Sequence, residues 1–130
     1  MQLQLTPEVV DAFNRANRFY KDNKPSEALP LLEVALSRFE EFEQAWLLKA
    51  RCHMALGEHA LARGAFTRTL KLNAGNYSAW LEVGHVSRQM GDLPQSTVAY
   101  QKAIDIDGNR HEALLGMARV MVQLGHPEAA

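Results

Sequence analysis

Five histidines, one cysteine and a scatter of carboxylates are the residues of this 130-residue chain whose types could do chemistry. His53, His59, His85, His111 and His126 follow neither HExxH spacing nor the paired Cys/His spacing that gathers ligands around a metal ion. His53 instead takes a slot facing a partner helix, where a satisfied packing histidine is expected. Cys52 neighbours His53, but adjacent residues on a helix point apart, so the two do not form a nucleophile and its base. There is no GxSxG elbow and no glycine-rich phosphate loop. Asp105 and Asp107 close a helix before a turn and read as solvated. Met54, Met90, Met117 and Met121 read as fillers of core gaps. No catalytic residue, metal ligand or cofactor is therefore expected, and the chain reads as a non-enzyme.

Another set of residues does keep a spacing. Phe13, Asn17 and Tyr20 follow i, i+4, i+7, which places them on one helical face. So do Leu47, Arg51 and Met54, then Leu81, His85 and Arg88, then Leu115, Arg119 and Val122. Four faces thus carry an apolar position each, with Arg51, Arg88 and Arg119 as cationic points beside them.

The elements that must hold these faces are short helices in pairs. In Tyr77 to Arg110 one helical pattern carries Trp80, Val83, Gly84 and Ser87, and a second carries Ser96, Tyr100, Ala103 and Ile104. Gly91-Asp92 separates them and Gly108-Asn109 ends the second. Helices this short are marginal alone, so the pair is expected as an antiparallel hairpin packed on its apolar sides. The hairpin recurs. Trp46 and Trp80 are 34 apart, as are Gly57, Gly91 and Gly125, and as are Ala45, Ala79 and Ala113. Ala12, Ala16 and Ala28 fill the slots of Trp46, Ala50 and Ala62 one period earlier.

A helix-turn-helix period of this size identifies a repeat array. On Trp46, Ala50, Ala62 and Phe66, and on Trp80, Gly84, Tyr100 and Ala103, the chain resembles the tetratricopeptide repeat family over nearly its whole length. The resemblance implies an all-α right-handed superhelical solenoid forming one domain, residues 1–130. Its units fall at about 9–42, 43–76 and 77–110, with a partial fourth at 111–130. It also implies that the four i, i+4, i+7 faces line a concave groove where a protein or peptide partner lies. Leucines with arginines beside them would suit an extended or helical peptide with apolar anchors and a few acidic groups. Some family members clamp a chaperone's carboxylate tail. Of those slots only Asn17 matches here, and Phe13, Leu48, Ser78 and Glu82 remove the charge that function needs. Others carry an asparagine ladder, which Asn14 fits and Leu48, Glu82 and Gly116 do not. The expected function is a protein-interaction scaffold. The alternative is the substrate-recruiting N-terminal array of a longer enzyme, since the family includes repeats fused to glycosyltransferases and sulfotransferases.

Composition narrows the partner class. At 47% hydrophobic, 22% charged and net charge −1, the chain is an ordinary globular one with no basic field for nucleic acid or anionic lipid. No apolar run approaches the ~18 residues of a membrane helix, and the first residues lack the charged start and apolar core of a signal peptide. With Cys52 as the single cysteine no intrachain disulfide can form, and a cytoplasmic location is expected.

Local signals complete the expectations. Thr6 reads as an N-cap before Pro7, Asn23-Lys24-Pro25 as the first turn, and Pro30 as a mild kink at most. Gly64, inside a helix, reads as a point of close helix approach, and Trp80 as lying between its own second helix and the preceding unit. The first helices of units two to four carry a further face expected to pack on the preceding unit. That face is Ala45, Lys49, Cys52 and Leu56; then Ala79, Val83, Val86 and Met90; then Ala113, Met117, Val120 and Leu124. In unit one the same slots are Asp11, Arg15, Arg18 and Asp22, the polar face of a terminal repeat. Pro127 should start the partner helix of the fourth unit, which the sequence leaves as a stub, so the beginning reads as native and the end as cut. Leu114, Ala118 and Met121 would then stand exposed and support self-association through the fourth unit.

Overall fold

The computed structural model describes residues 5–125, which form seven α-helices and no strand. These are α1 (Pro7–Lys21), α2 (Pro25–Arg38), α3 (Glu43–Ala55), α4 (His59–Leu72), α5 (Tyr77–Gln89), α6 (Leu93–Ile106) and α7 (His111–Gln123). The chain divides into two compact units, Met1–Asn73 and Ala74–Ala130. In the first, α1 pairs with α2 and α3 with α4, and α2 lies on α3. In the second, α5 pairs with α6, and α7 packs on both. Pro127 and the stub it was expected to start lie outside the described residues.

The 34-residue step reappears in the backbone. Among the described residues, Asn23, Gly57, Gly91 and Gly125 have positive φ, at 63°, 75°, 82° and 82°, and each follows the end of a first helix. The left-handed turn lets the next amide reach back into the helix: Glu58 N–H donates to the His53 carbonyl at 2.9 Å, and Asp92 N–H to Ser87 at 2.8 Å. Asn23 takes the first such site because its short polar side chain tolerates the left-handed region better than most. Caps hold the other ends. Thr6 Oγ1 accepts from Val9 N–H at 3.3 Å, Asn76 Oδ1 from Ala79 at 3.0 Å, and Asp92 Oδ1 from Gln95 at 3.3 Å. Pro30 does not stop α2, which runs on to Arg38.

Between repeats the tryptophans act as clamps. The Trp46 indole N–H donates to the Glu40 carbonyl at 2.7 Å, and the Trp80 indole N–H to the Ala74 carbonyl at 2.8 Å. Both rings are only half-buried. Trp80 packs at the edge of a cluster of Tyr77, Tyr100, Ala103, Ala113 and Val120.

The fully buried anchors are on the second helices instead: Leu32, Phe66 and Tyr100, one period apart. The first-helix slot that accompanies them shrinks as they grow, from Ala16 and Ala50 to Gly84. In the second unit the fit is tight. A Cβ on Gly84 would fall 2.5 Å from a Tyr100 ring carbon, and one on Gly116 would come closer still. The Tyr100 ring therefore occupies space that α5 and α7 both vacate by carrying glycine.

Two expectations about packing are corrected. Gly64 is not a point of close approach: it is exposed, and a Cβ there would meet nothing within 4 Å. Leu56, Met90 and Leu124 do not pack on a neighbouring repeat and are 40%, 39% and 47% exposed. Each is the C-cap residue of its helix, where the chain turns away before that position reaches the packed face. Of the slots before them, Ala45, Cys52, Ala79, Val83, Val86, Ala113 and Val120 are buried, while Lys49 and Met117 are half-buried. Asp11, Arg15, Arg18 and Asp22 are all exposed.

The glycines give opposite forecasts. Gly64→Ala should stabilise by ~0.5–1 kcal/mol, because a helix-interior glycine gains entropy and meets no obstacle. Gly84→Ala and Gly116→Ala should each destabilise by ~1–3 kcal/mol by forcing a buried ring aside. Thermal unfolding of the three variants checks this, and equal melting temperatures would refute the packing described.

Candidate functional site

The residues expected on the recognition face are positioned by α1, α3, α5 and α7, and their burial is graded. Phe13, Asn17, Tyr20, Leu47, Arg51 and Met54 in the first unit, and Leu81, His85 and Arg88 in the second, are all half-buried; Leu115, Arg119 and Val122 on α7 are exposed. In the first unit, part of this face is itself packing. Phe13 lies 4.9 Å from the Phe42 ring, and both Phe13 and Tyr20 rest on the core cluster of that unit. Leu81 likewise leans on the core of the second unit.

In the second unit the face carries a connected polar group. His85 Nδ1 lies 2.6 Å from the Tyr100 hydroxyl, with the rings edge-on at 5.4 Å, and Arg88 Nε approaches the same hydroxyl at 3.5 Å. Burial holds the His85 pKa below its ordinary 6.5, and the positive charges of Arg88 and then Arg119 push it the same way, with Glu112 opposing. The imidazole is therefore neutral near pH 7. In the tautomer protonated on Nε2, its Nδ1 accepts the phenol proton while the Tyr100 oxygen accepts from Arg88. Beside this group lies a hollow of about 440 Å³ lined by Arg88, Leu115, Ala118, Arg119, Val122 and Gln123. It gathers Arg88, Leu115, Arg119 and Val122 of the expected set.

Two of its lining residues, Ala118 and Gln123, and the Tyr100 beside it were not expected on this face. Tyr100 read only as core; the signal for its second role is a hydroxyl in a slot where Phe66 has none. Ala118 read as part of the strip awaiting a partner helix, and Gln123 carried no signal beyond its helical register with Arg119. In the first unit a hollow of about 430 Å³ lies off the expected face, among Glu33, Trp46, Lys49, His53, Leu61 and Gly64. Lys49 there pairs with Glu33 at 2.6 Å and lies over the Trp46 ring. His53 is buried, with Nδ1 2.8 Å from a Glu58 carboxylate oxygen, which satisfies it as a packing histidine. Cys52 is fully buried, and desolvation pushes its thiol up to about 11, far from the range of a reactive thiolate. Among the described residues no three His, Cys, Asp or Glu side chains converge as a metal site, and no helix is long and apolar enough to cross a membrane.

Family models of the tetratricopeptide repeat match residues 13–79 and 77–110. The chain belongs to the tetratricopeptide repeat family. Among curated relatives it is similar to anaphase-promoting complex subunit 3 of Schizosaccharomyces pombe, 29% identical over 72% of this chain. It is also similar to the probable UDP-N-acetylglucosamine–peptide N-acetylglucosaminyltransferase SPINDLY of Hordeum vulgare, 30% identical over 94% of the chain. The chain spans only 14% and 13% of those two relatives. Among solved structures, the first tetratricopeptide domain of Spaghetti (RPAP3) bound to the HSP90 peptide SRMEEVD aligns with TM-score 0.90 at 15% identity, covering 96% of this chain and 99% of that one. The second domain of human RPAP3 with the HSP70 peptide SGPTIEEVD aligns with TM-score 0.83 at 13% identity, covering 87% and 94%. At these identities the likeness is one of fold: an all-α helical repeat.

A depressed histidine pKa has a stability signature. Above 6.5 the folded and unfolded forms both hold His85 neutral; as pH falls below 6.5 the unfolded form takes up the proton first. Stability should therefore be complete above 6.5 and decline below it until the folded-state value is passed. NMR titration should place His85 below 6.5, and Arg88→Gln should raise its midpoint; a His85 midpoint at or above 6.5 would contradict the arrangement.

Proposed function

We propose that this chain is a protein-interaction scaffold that binds peptide segments on the exposed face of its first helices. The observation that carries the reading is the α5–α7 face, where half-buried and exposed apolar side chains stand beside Arg88 and Arg119. Neither arginine has a carboxylate partner among the described residues. An apolar floor with free cations suits peptide capture, because the apolar contacts supply area while the guanidinium groups set register. The peptides held by structurally similar domains are consistent with this reading. Phe13, Asn17, Tyr20, Leu47, Arg51 and Met54 offer a matching face on the first unit. Nothing in the net charge of −1 favours nucleic acid.

A second reading is favoured by the barley relative: the same repeats would recruit protein substrate within a longer enzyme, itself named a glycosyltransferase, of which this chain matches 13%. In either case the free, buried Cys52 thiol fits a reducing compartment such as the cytoplasm. Self-association through the fourth repeat is supported by Leu114, which is 46% exposed on α7, with the half-buried Ala118 and Met121 on the same side.

Selection of peptides from a displayed random library tests the scaffold reading. Recovered peptides should lose binding when Arg88→Glu and Arg119→Glu are combined, or when Arg51→Glu is made, with helicity and melting retained. Peptides that bind all variants equally would remove the face from the account. Light scattering should show concentration-dependent dimers that Leu114→Glu with Met121→Glu dissolves; a strict monomer would refute self-association.

A further inference from the structure

We propose that the hollow between α5 and α7 takes one acidic side chain from within a partner peptide, held jointly by Arg88 and Arg119, while apolar neighbours of that residue rest on Leu115 and Val122. The proposal rests on the scaffold reading above and specifies the chemistry of one of its subsites.

Charge is the first argument. Arg88 comes from α5 and Arg119 from α7, and both lower the proton affinity of the same imidazole, so their positive fields overlap at His85. His85 stays neutral and adds no counter-charge, and Glu112 is the acidic group that opposes them. Two arginines lining one hollow, neither of them in an ion pair among the described residues, leave a position where an anion is stabilised by both.

Preorganisation is the second. Arg88 is steered by the Tyr100 hydroxyl, and Tyr100 is locked by the glycines that its ring displaces. The Tyr100 oxygen approaches only the Nε of Arg88, so the terminal nitrogens of that guanidinium remain free to donate to a carboxylate. A side chain already held this way loses less freedom on binding than an unrestrained arginine does.

The floor decides between a carboxylate inside a chain and one at its end. Leu115 precedes Arg119 by one helical turn, and Val122 follows it by nearly another, both on the hollow and both about half exposed. Apolar surface on both sides of the arginine favours a chain that passes over it, with an apolar residue before and after the acidic one. In an extended peptide, alternate residues share one side, so the matching pattern is apolar, any, acidic, any, apolar.

The test uses a terminally blocked fluorescent peptide with glutamate between two leucines at alternate positions. Its companions are the glutamine counterpart and a glutamine peptide with a free C-terminal carboxylate. Anisotropy should show the glutamate peptide binding at least about tenfold tighter than the glutamine peptide, the scale of a charge-assisted pair. Arg88→Gln and Arg119→Gln should each erase that preference, raised salt should shrink it, and circular dichroism should show both variants folded. Equal affinity for glutamate and glutamine overturns the proposal, as does failure of the glutamate peptide to bind. So does a free-ended glutamine peptide that binds as well as the glutamate one. If display-selected peptides still bind and still depend on Arg51, the scaffold reading survives and only this subsite falls.

Discussion

Everything in the second unit depends on where one phenol ring can go. Tyr100 is fully buried, and its ring fills the room that Gly84 on α5 and Gly116 on α7 leave open. Closely packed interiors do not accommodate an extra methyl group by flowing around it, so the ring and the two glycines fix how near these helices lie. Ser96 adds a second tie, its hydroxyl donating to the Gly84 carbonyl at 2.7 Å, which a close approach at a glycine makes reachable. Elsewhere in the chain the same job is done by smaller anchors against alanine, Leu32 with Ala16 and Phe66 with Ala50 in the repeat frame.

The same ring carries a polar end, and that is where packing turns into electrostatics. A buried hydroxyl requires partners; here they are His85 and Arg88, both on the exposed side of α5. The lowered pKa favours a neutral imidazole in this arrangement. Protonation would make Nδ1 a donor, leaving the phenol proton without that acceptor while adding a third cation beside Arg88 and Arg119. Phe66 in the first unit has no hydroxyl, and Arg51 stands where His85 stands one period later.

Much of this was legible before any coordinates. The 34-residue step marks every left-handed turn residue and the slots of both indole clamps, because those features depend on backbone geometry that each repeat must reproduce. What escaped was anything decided by how far a helix extends or what lies across from it. Leu56, Met90 and Leu124 continue an apolar pattern in register, yet a single residue past the last turn takes them out of the packed face. Gly64 looks like Gly84 in a string of letters; only the facing atoms tell that one has a ring against it and the other open space. The residues expected to line a recognition face fall on α1, α3, α5 and α7, as their spacing requires, but the nearness of some of them to Ala118, Gln123 and the Tyr100 hydroxyl needed the second helix in position.

Comparing the repeats with one another separates what builds the fold from what distinguishes one unit's surface. One packing slot of the first helices does not vary: Ala45, Ala79 and Ala113 are buried and identical in type. The outward slot of the first helices changes with every unit, from Asn17 to Arg51, His85 and Arg119, and the one beside it from Tyr20 to Met54, Arg88 and Val122. Packing explains part of the change, since Tyr20 rests on the core of the first unit and the Tyr100 hydroxyl takes His85 and Arg88 as partners, but it places no such demand on the exposed Arg119 and Val122. Binding would place such a demand, because a partner that lies along several repeats meets a different chemistry at each. A repeat scaffold can therefore alter what it recognises at one position without altering the hairpin beneath. In this chain the α5 and α7 positions, with an arginine on each and the neutral His85 between their fields, are where that freedom has produced the most defined chemistry.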